Sequence, residues 1–344
     1  MAGYRVDYKG AAIFVGHEDG SEHKIFRATA FGSTGTITRE DIFEIGNSGL
    51  VDTVEDVSEV SMTIDANEYG SARTLYLLSG RKWPTTYPQE GIEIDLAKDF
   101  ETSKVHILNY MKPTGDTSSN YILEEVRNCV LTGYSANYTL DGNSTESFSL
   151  ISDNKRWRTV SKPSGFDDKE TGGVAGAKRR AHVEVSLFPK DSVTDGLWYA
   201  GQRLDEIPIS VQSVSVDVTL DRENIGELGS LHYIHKPLVQ PINVSVSFDV
   251  IVKDLNILSK LAGVDEADDI ELDALSDRVG LLIKIYDNAH TPRSIIKELH
   301  IPYLIPTDEA FNISLDGNAT RTFSFRSHQL GVYQGSKRTE PPSP

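Results

Sequence analysis

Apolar and polar residues alternate strictly through Glu59-Val-Ser-Met-Thr-Ile-Asp-Ala66. Val60, Met62 and Ile64 fall on one side and Ser61, Thr63 and Asp65 on the other, the period of a strand with one dry and one wet face. Asn243-Val-Ser-Val-Ser-Phe-Asp-Val250 repeats the pattern, with Val244, Val246 and Phe248 against Ser245, Ser247 and Asp249. A glycine-bearing stretch precedes each strand: Ile45-Gly46-x-x-Gly49 and Ile225-Gly226-x-x-Gly229. A short helical signal that stops at glycine follows each. Ser71 is the expected cap for a run with Leu75, Leu77 and Leu78 apolar and Gly80 as the stop. Asp254 is its counterpart, with Ile257, Leu258 and Leu261 and a stop at Gly263. Strands are expected at Val105–Tyr110 and Leu281–Tyr286, then through YILEEVRNCVL and IIKELHIPYLI. Each copy closes on Leu-Asp-Gly-Asn between alternating runs, YTLDGNSTESFSL and ISLDGNATRTFSF. Asp141, Gly142 and Asn143, and again Asp316, Gly317 and Asn318, have the residue types of a hairpin turn.

The same features in the same order, at offsets that drift from 180 to 184 to 175, indicate an internal duplication. Two copies are too few for a solenoid. The expected organisation is a first domain over 1–150, a linker or extended arm over 151–179, a second domain over 180–330 and a disordered tail over 331–344. The charged, Gly-rich stretch 152–180 has almost no periodicity, which is why it reads as a linker. The class is mainly β: two tandem similar β-sandwich-like domains, each with one short α-helix.

The net charge of −17 over 344 residues argues against nonspecific binding to nucleic acid or anionic membrane, both of which reward Lys and Arg. It suits a surface past which a polyanion moves without sticking, and it also keeps a protein soluble. The one cysteine, Cys129, excludes an intramolecular disulfide and a thiolate zinc cluster. It sits in an alternating stretch and reads as a small buried hydrophobe. MAGYRVDYKG lacks a basic region followed by an apolar one, and no apolar run reaches the ~18 residues of a membrane helix, so synthesis in a cytoplasm is the expectation. His232 and His235, like His17 and His23, are close pairs that read as loop histidines, because zinc sites bring three or four spaced ligands. Asn137, Asn143, Asn243, Asn312 and Asn318 begin Asn-x-Ser/Thr sequences and are read as turn and strand chemistry. Lys178-Arg179-Arg180 is the one basic cluster, solvated or paired to an acidic neighbour. No nucleophile elbow, P-loop or dinucleotide fingerprint is present, and catalysis and cofactors are not expected.

The alternating strand EVSMTIDA after a long loop, the short helix and the closing hairpin YSANYTLDGNSTESFSL resemble those of tailed-phage or archaeal tailed-virus tail tube proteins. The common pattern there is one such domain per chain in stacked six-membered rings. Two domains per chain is similar to the major tail proteins of some long-tailed siphophages. The resemblance therefore implies a pseudo-hexameric ring of three chains whose sheets join into a ring-shaped β-barrel. It implies a virion location, with the tail tip or baseplate, tail terminator and tape measure proteins as partners. Double-stranded DNA would pass through the lumen without tight binding. Ser61, Thr63, Asp65, Ser245, Ser247 and Asp249 are then the expected lumen-facing residues. Gly46–Val57 and Gly226–Val239 are the expected inter-ring loops, with Gly46, Gly49, Asp52, Glu55, Asp56, Gly226, Gly229, His232 and His235. The alternatives are a single tail-tip or baseplate ring of the same fold and a two-module carbohydrate-binding adhesin. Against the adhesin, Trp83, Trp157 and Trp198 do not match between copies.

Overall fold

The computed structural model describes residues 10–43, 50–84, 91–113, 120–169, 177–189, 207–230, 232–251, 279–287, 294–312 and 320–335. The first half holds β1 (Ala11–Gly16), β2 (Glu22–Lys24), β3 (Ala28–Thr36), β4 (Arg39–Phe43), β5 (Leu50–Glu55) and β6 (Glu59–Asn67). Helix α1 (Arg73–Leu78), β7 (Ile92–Asp95), helix α2 (Leu96–Asp99), β8 (Val105–Met111), β9 (Asn120–Thr139), β10 (Thr145–Ser152) and β11 (Asn154–Ser161) follow. The second half holds β12 (Val183–Pro189), β13 (Ile207–Ile209), β14 (Val211–Thr219), β15 (Asn243–Ile251) and β16 (Val279–Tyr286). It ends with β17 (Ile295–Ile301), β18 (Ile305–Asn312), β19 (Thr320–Ser327) and β20 (Gly331–Gln334). The architecture is mainly β.

Eight antiparallel strands run side by side in the order β18-β19-β15-β14-β9-β10-β6-β3. The order is one motif used twice, because the ladder registers of the two halves superimpose. Phe148 of β10 faces Ile64 and Tyr134; 175 positions on, Phe323 of β19 faces Phe248 and Glu309. The bulge between Ser149 and Leu150 recurs between Ser324 and Phe325, at Pro306/Asp308 of the partner strand. Strand β3 corresponds to β14 at an offset of 183, again with a matching bulge: Phe31 faces Ile64 and Val214 faces Phe248.

Smaller sheets lie beneath. In the first half β9 leaves the large sheet at Asn128, which has φ +53°, and its N-terminal part joins β11, β8, β1 and β2. In the second half the equivalent bend is at Tyr303, φ +56°, also 175 positions on, and it splits the equivalent strand into β17 and β18. A hydroxyl caps each bend: Ser152 donates to the Arg127 carbonyl and Ser327 to the Pro302 carbonyl. The second small sheet runs β13-β12-β16-β17-β20-β7, so β7 of the first half completes a sheet of the second. A single core cluster passes through both halves, from Ile13 and Ile64 to Val216, Phe248 and Leu281. A satellite of Phe14, Tyr110, Tyr121, Leu123 and Phe166 covers the outer side of the first small sheet.

Helix α1 buries Leu75, Leu77 and Leu78 and is followed by Gly80 at φ +81°, as its sequence indicates. Ser71 accepts the Arg73 N–H, but the capping residue is Ala72, whose N–H donates to Gln334 at 2.7 Å. The counterpart expected from Asp254 to Gly263 lies outside the described residues, and the four-residue α2, capped by Asp95, was not expected. Two departures are strands outside the expected domains. The stretch expected to be a linker contains β11, and the expected tail contains β20. Strand β11 is exposed along much of its length, so its charged sequence NKRWRTVS carries no apolar alternation to read.

Candidate assembly surfaces and a polar sheet face

The large sheet buries every second residue and turns the others outward. Ser61, Thr63 and Asp65 of β6 and Ser245, Ser247 and Asp249 of β15 all lie on this outer face. Their neighbours by register are Ser147 and Ser149, then Ser135, then Ser213, Ser215 and Asp217, and finally Thr322 and Ser324. The face is therefore a continuous polar field across both halves, built mainly of hydroxyls and carboxylates, with the exposed Arg326 opposite Ser245 at the far end. The expected matching of Asp65 and Asp249 extends to their partners: Ser147 donates to Asp65 at 2.6 Å and Thr322 to Asp249 at 2.5 Å. Ser213 adds a second hydroxyl to Asp249 at 2.6 Å. These aspartates are tied across strands on the polar face.

The two motifs meet where β14 pairs with β9, Val216 opposite Ala136 and Asp217 opposite Ser135. Just past β14, Leu220 is fully buried and its N–H donates to the Thr132 carbonyl. Arg222 then reaches back into the first half. Its Nε and Nη2 donate to the Leu131 carbonyl at 3.0 and 2.8 Å, and its Nη1 donates to the Phe100 carbonyl at 2.8 Å. No carboxylate meets it in these contacts, and burial pulls its pKa down to about 10. Asp153 holds the next segment, accepting the Tyr233 N–H at 2.6 Å, with Lys236 Nζ 3.7 Å away.

A charged knot lies deeper in the same seam. Lys297 of β17 donates to Glu68 at 2.6 Å and to Glu146 at 2.5 Å. Tyr134 donates to Glu146 and Tyr138 to Glu68, at 2.7 and 3.3 Å. All five side chains are buried. Burial first, and the Glu68 carboxylate second, push the Glu146 carboxyl up to about 7. Burial works against the Lys297 ammonium, but the two carboxylates outweigh it and raise its pKa.

The outermost strands of the large sheet, β3 and β18, are the counterparts of the two seam strands β14 and β9. The expected inter-ring loops follow β3 and its counterpart β14. In the first, β4 and β5 form a two-stranded arm that exposes Phe43, Leu50, Val51 and Val54. Asp52, Glu55 and Asp56 sit on or beside it, with Glu55 2.7 Å from Arg39. Gly46 and Gly49 lie outside the described residues. The second is an irregular arm carrying Gly226, Gly229, His232 and His235, held by the Ile225–His235 bridge. Leu228 and Ile234 are exposed on it. At the first hairpin turn Gly142 has φ +95°, and Asn143 accepts from Arg179 at 2.9 Å. Asp316, Gly317 and Asn318 lie outside the described residues.

Cys129 is buried and its thiol is pushed up to about 12 by that burial. His17 and His23 meet edge to face at 5.5 Å, and burial lowers both. Among the described residues no group of three metal-ligating side chains assembles, and no helix is long and apolar enough to cross a membrane. Lys178 of the basic cluster is buried and donates to the Asp287 carbonyl at 3.0 Å. Sequence reasoning missed Arg222 and Lys297. A signal for the first exists, because Thr36-Ile-Thr-Arg-Glu-Asp-Ile42 echoes Thr219-Leu-Asp-Arg-Glu-Asn-Ile225 at the same offset of 183 as the strands before them. Lys297 has no such signal, since its counterpart in the first half is Ile122.

No protein-family model matches the chain, and no curated protein matches it. Among solved structures, a chain of the anti-feeding prophage baseplate, determined by cryo-EM with six-fold symmetry, is similar over 44% of this chain and 91% of its own length. The identity is 11% and the TM-score 0.29, too low for the likeness to carry a functional argument.

Proposed function

We propose that the chain is a structural subunit of a viral tail tube, which closes into rings that stack and conduct DNA. The observation that carries this reading is the seam between the halves. It joins two copies of one motif head to tail, and among the described residues it leaves the same two edges unpaired at the ends of the sheet. A head-to-tail contact between like parts either closes into a ring or runs on as a filament. Three chains would set roughly 24 strands around the axis, and at ~4.8 Å per strand the backbone circle is about 37 Å across before any strand tilt. That leaves room for a duplex inside the side chains.

The polar face suits the inside of such a ring. Lysine or arginine there would bind phosphate with release of counterions and would hold the DNA back. Hydroxyls with Asp65, Asp217 and Asp249, set against the exposed Arg326, present a wetted wall of net acidic character. The exposed apolar side chains of the two arms provide contacts between successive rings, and tail-tip and terminator proteins would meet the same arms at the tube ends. The subunit needs no catalysis and no cofactor for this role. Negative-stain microscopy of the purified full chain tests it. Hollow cylinders with regular cross-striations are expected, and a protein that stays a monodisperse monomer in every condition overturns the reading.

A further inference from the structure

We infer that Arg39 is an inter-chain latch, which leaves Glu55 on assembly and donates to the Pro306 backbone carbonyl of a second copy of this chain. The inference rests on the ring reading and specifies the contact that closes it. The offsets that superimpose the two halves also transfer the internal seam onto the open edges. Strand β14 becomes β3, shifted by 183, and β9 becomes β18, shifted by 175. Arg222 then becomes Arg39, and its acceptor, the Leu131 carbonyl, becomes that of Pro306. Asp217 opposite Ser135 becomes Thr34 of one chain opposite Ala310 of the next.

The counterparts differ in the way an uncovered seam requires. Leu220 is 0% exposed, whereas Ile37 is 59% exposed. Ala136 is 0% exposed, whereas Phe311 is 51% exposed. Arg222 is held by backbone carbonyls, whereas Arg39 has an exposed ion pair with Glu55, which costs little to part. The occupant is a second copy because both sides of the contact lie on this chain and are built from the parts already seen joined within it. An edge strand that buries apolar groups only in an assembly avoids indiscriminate pairing by fixing its partner this closely.

The test combines two sets of full-chain variants. Thr34→Cys with Ala310→Cys should give, on mild oxidation, a covalent ladder that stops at the number of chains in the ring, with neither single variant giving one. The native Cys129 is buried and stays out of the reaction. Arg39→Ala should leave the monomer's melting temperature unchanged and reduce assembly at least tenfold. Arg39→Lys should restore it poorly, because an ammonium lacks the fork that grips a carbonyl with two donors. Tubes that form without a 34–310 crosslink, or with Arg39→Ala assembling like the parent, would overturn the latch and leave the ring reading intact. A parent chain that never assembles would remove the ring reading itself, and the latch with it.

Discussion

The β9–β14 seam and the open β3 and β18 edges are built from corresponding parts, yet one is buried and the other bare. In the seam, Leu220 and Val216 lie in the core, Arg222 binds carbonyls and Lys297 sits between two carboxylates. At the edges, Ile37 and Phe311 face water and Arg39 pairs with the exposed Glu55. The same contrast recurs in the small sheets. Strand β20 is covered by β7, so Val332 is buried, whereas β11 has no strand on its outer side among the described residues and exposes its counterpart, Trp157. The use of one motif twice in one chain accounts for the asymmetry. Joining two motifs covers one seam within the chain and leaves its equivalent bare. What differs is the chemistry each seam tolerates. A permanently covered seam can hold buried charges, which must never be separated once desolvated. An edge that is wet before assembly carries apolar and weakly paired groups instead.

The largest effect is expected where the comparison is sharpest. Lys297→Met leaves Glu68 and Glu146 buried together without a cation and should destabilise the chain by roughly 3–5 kcal/mol. Urea denaturation reads it, and a loss below about 1 kcal/mol would mean that the knot is not closed to water. Its counterpart change, Ile122→Met, should be nearly silent in the monomer.

Core truncations come next. Leu220→Ala should cost roughly 2–5 kcal/mol in the same measurement. Ile37→Ala should stay within about 0.5 kcal/mol, since a side chain in water leaves no cavity. Equal effects would break the equivalence of buried and bare counterparts.

A smaller, pH-dependent effect belongs to the seam alone. Burial holds the Glu146 carboxyl at about 7 in the folded chain, against an ordinary 4.5. The folded state therefore binds this proton more tightly. Its contribution to stability is complete below about 4.5 and is lost as the pH rises through about 7. Glu146→Gln should remove that slope, so the stability difference between parent and variant should change across this window and flatten above it. A difference that is constant with pH would show that Glu146 stays ionised throughout.

How much of this was readable beforehand depends on what each residue faces. Strands β6 and β15 were legible because one face is dry and one wet, which forces strict alternation. The outward aspartates and serines were correctly placed on one face for the same reason. Strands β4, β5 and β11 were not legible as strands, since they are exposed on both faces and no alternation is imposed. Strand β20 sits where charge and proline dominate the surrounding tail, and its pairing with β7 links residues more than 230 positions apart. The Arg39–Arg222 echo was present in the letters, but that one arginine is held by carbonyls and the other solvated depends on the seam. The partners of Lys297 lie 151 and 229 positions away, beyond any local pattern.

On the polar face the expected effect is a tolerable loss of stability and is read chiefly in function. Asp65→Lys with Asp249→Lys forfeits hydroxyl bonds worth about 1 kcal/mol each, so the chain should fold and assemble. The reversed charge should instead slow passage of DNA, read as delivery of genome by virions carrying the variant. Unimpaired delivery would place this face elsewhere than the lumen.

One measurement bears on the whole account: cryo-EM of the assembled chain with rotational averaging. The expected map shows a hollow ring in which β3 of each chain lies beside β18 of the next, so that the large sheet continues around the bore without a break. A ring joined through other strands, or an assembly with no central channel, would contradict it.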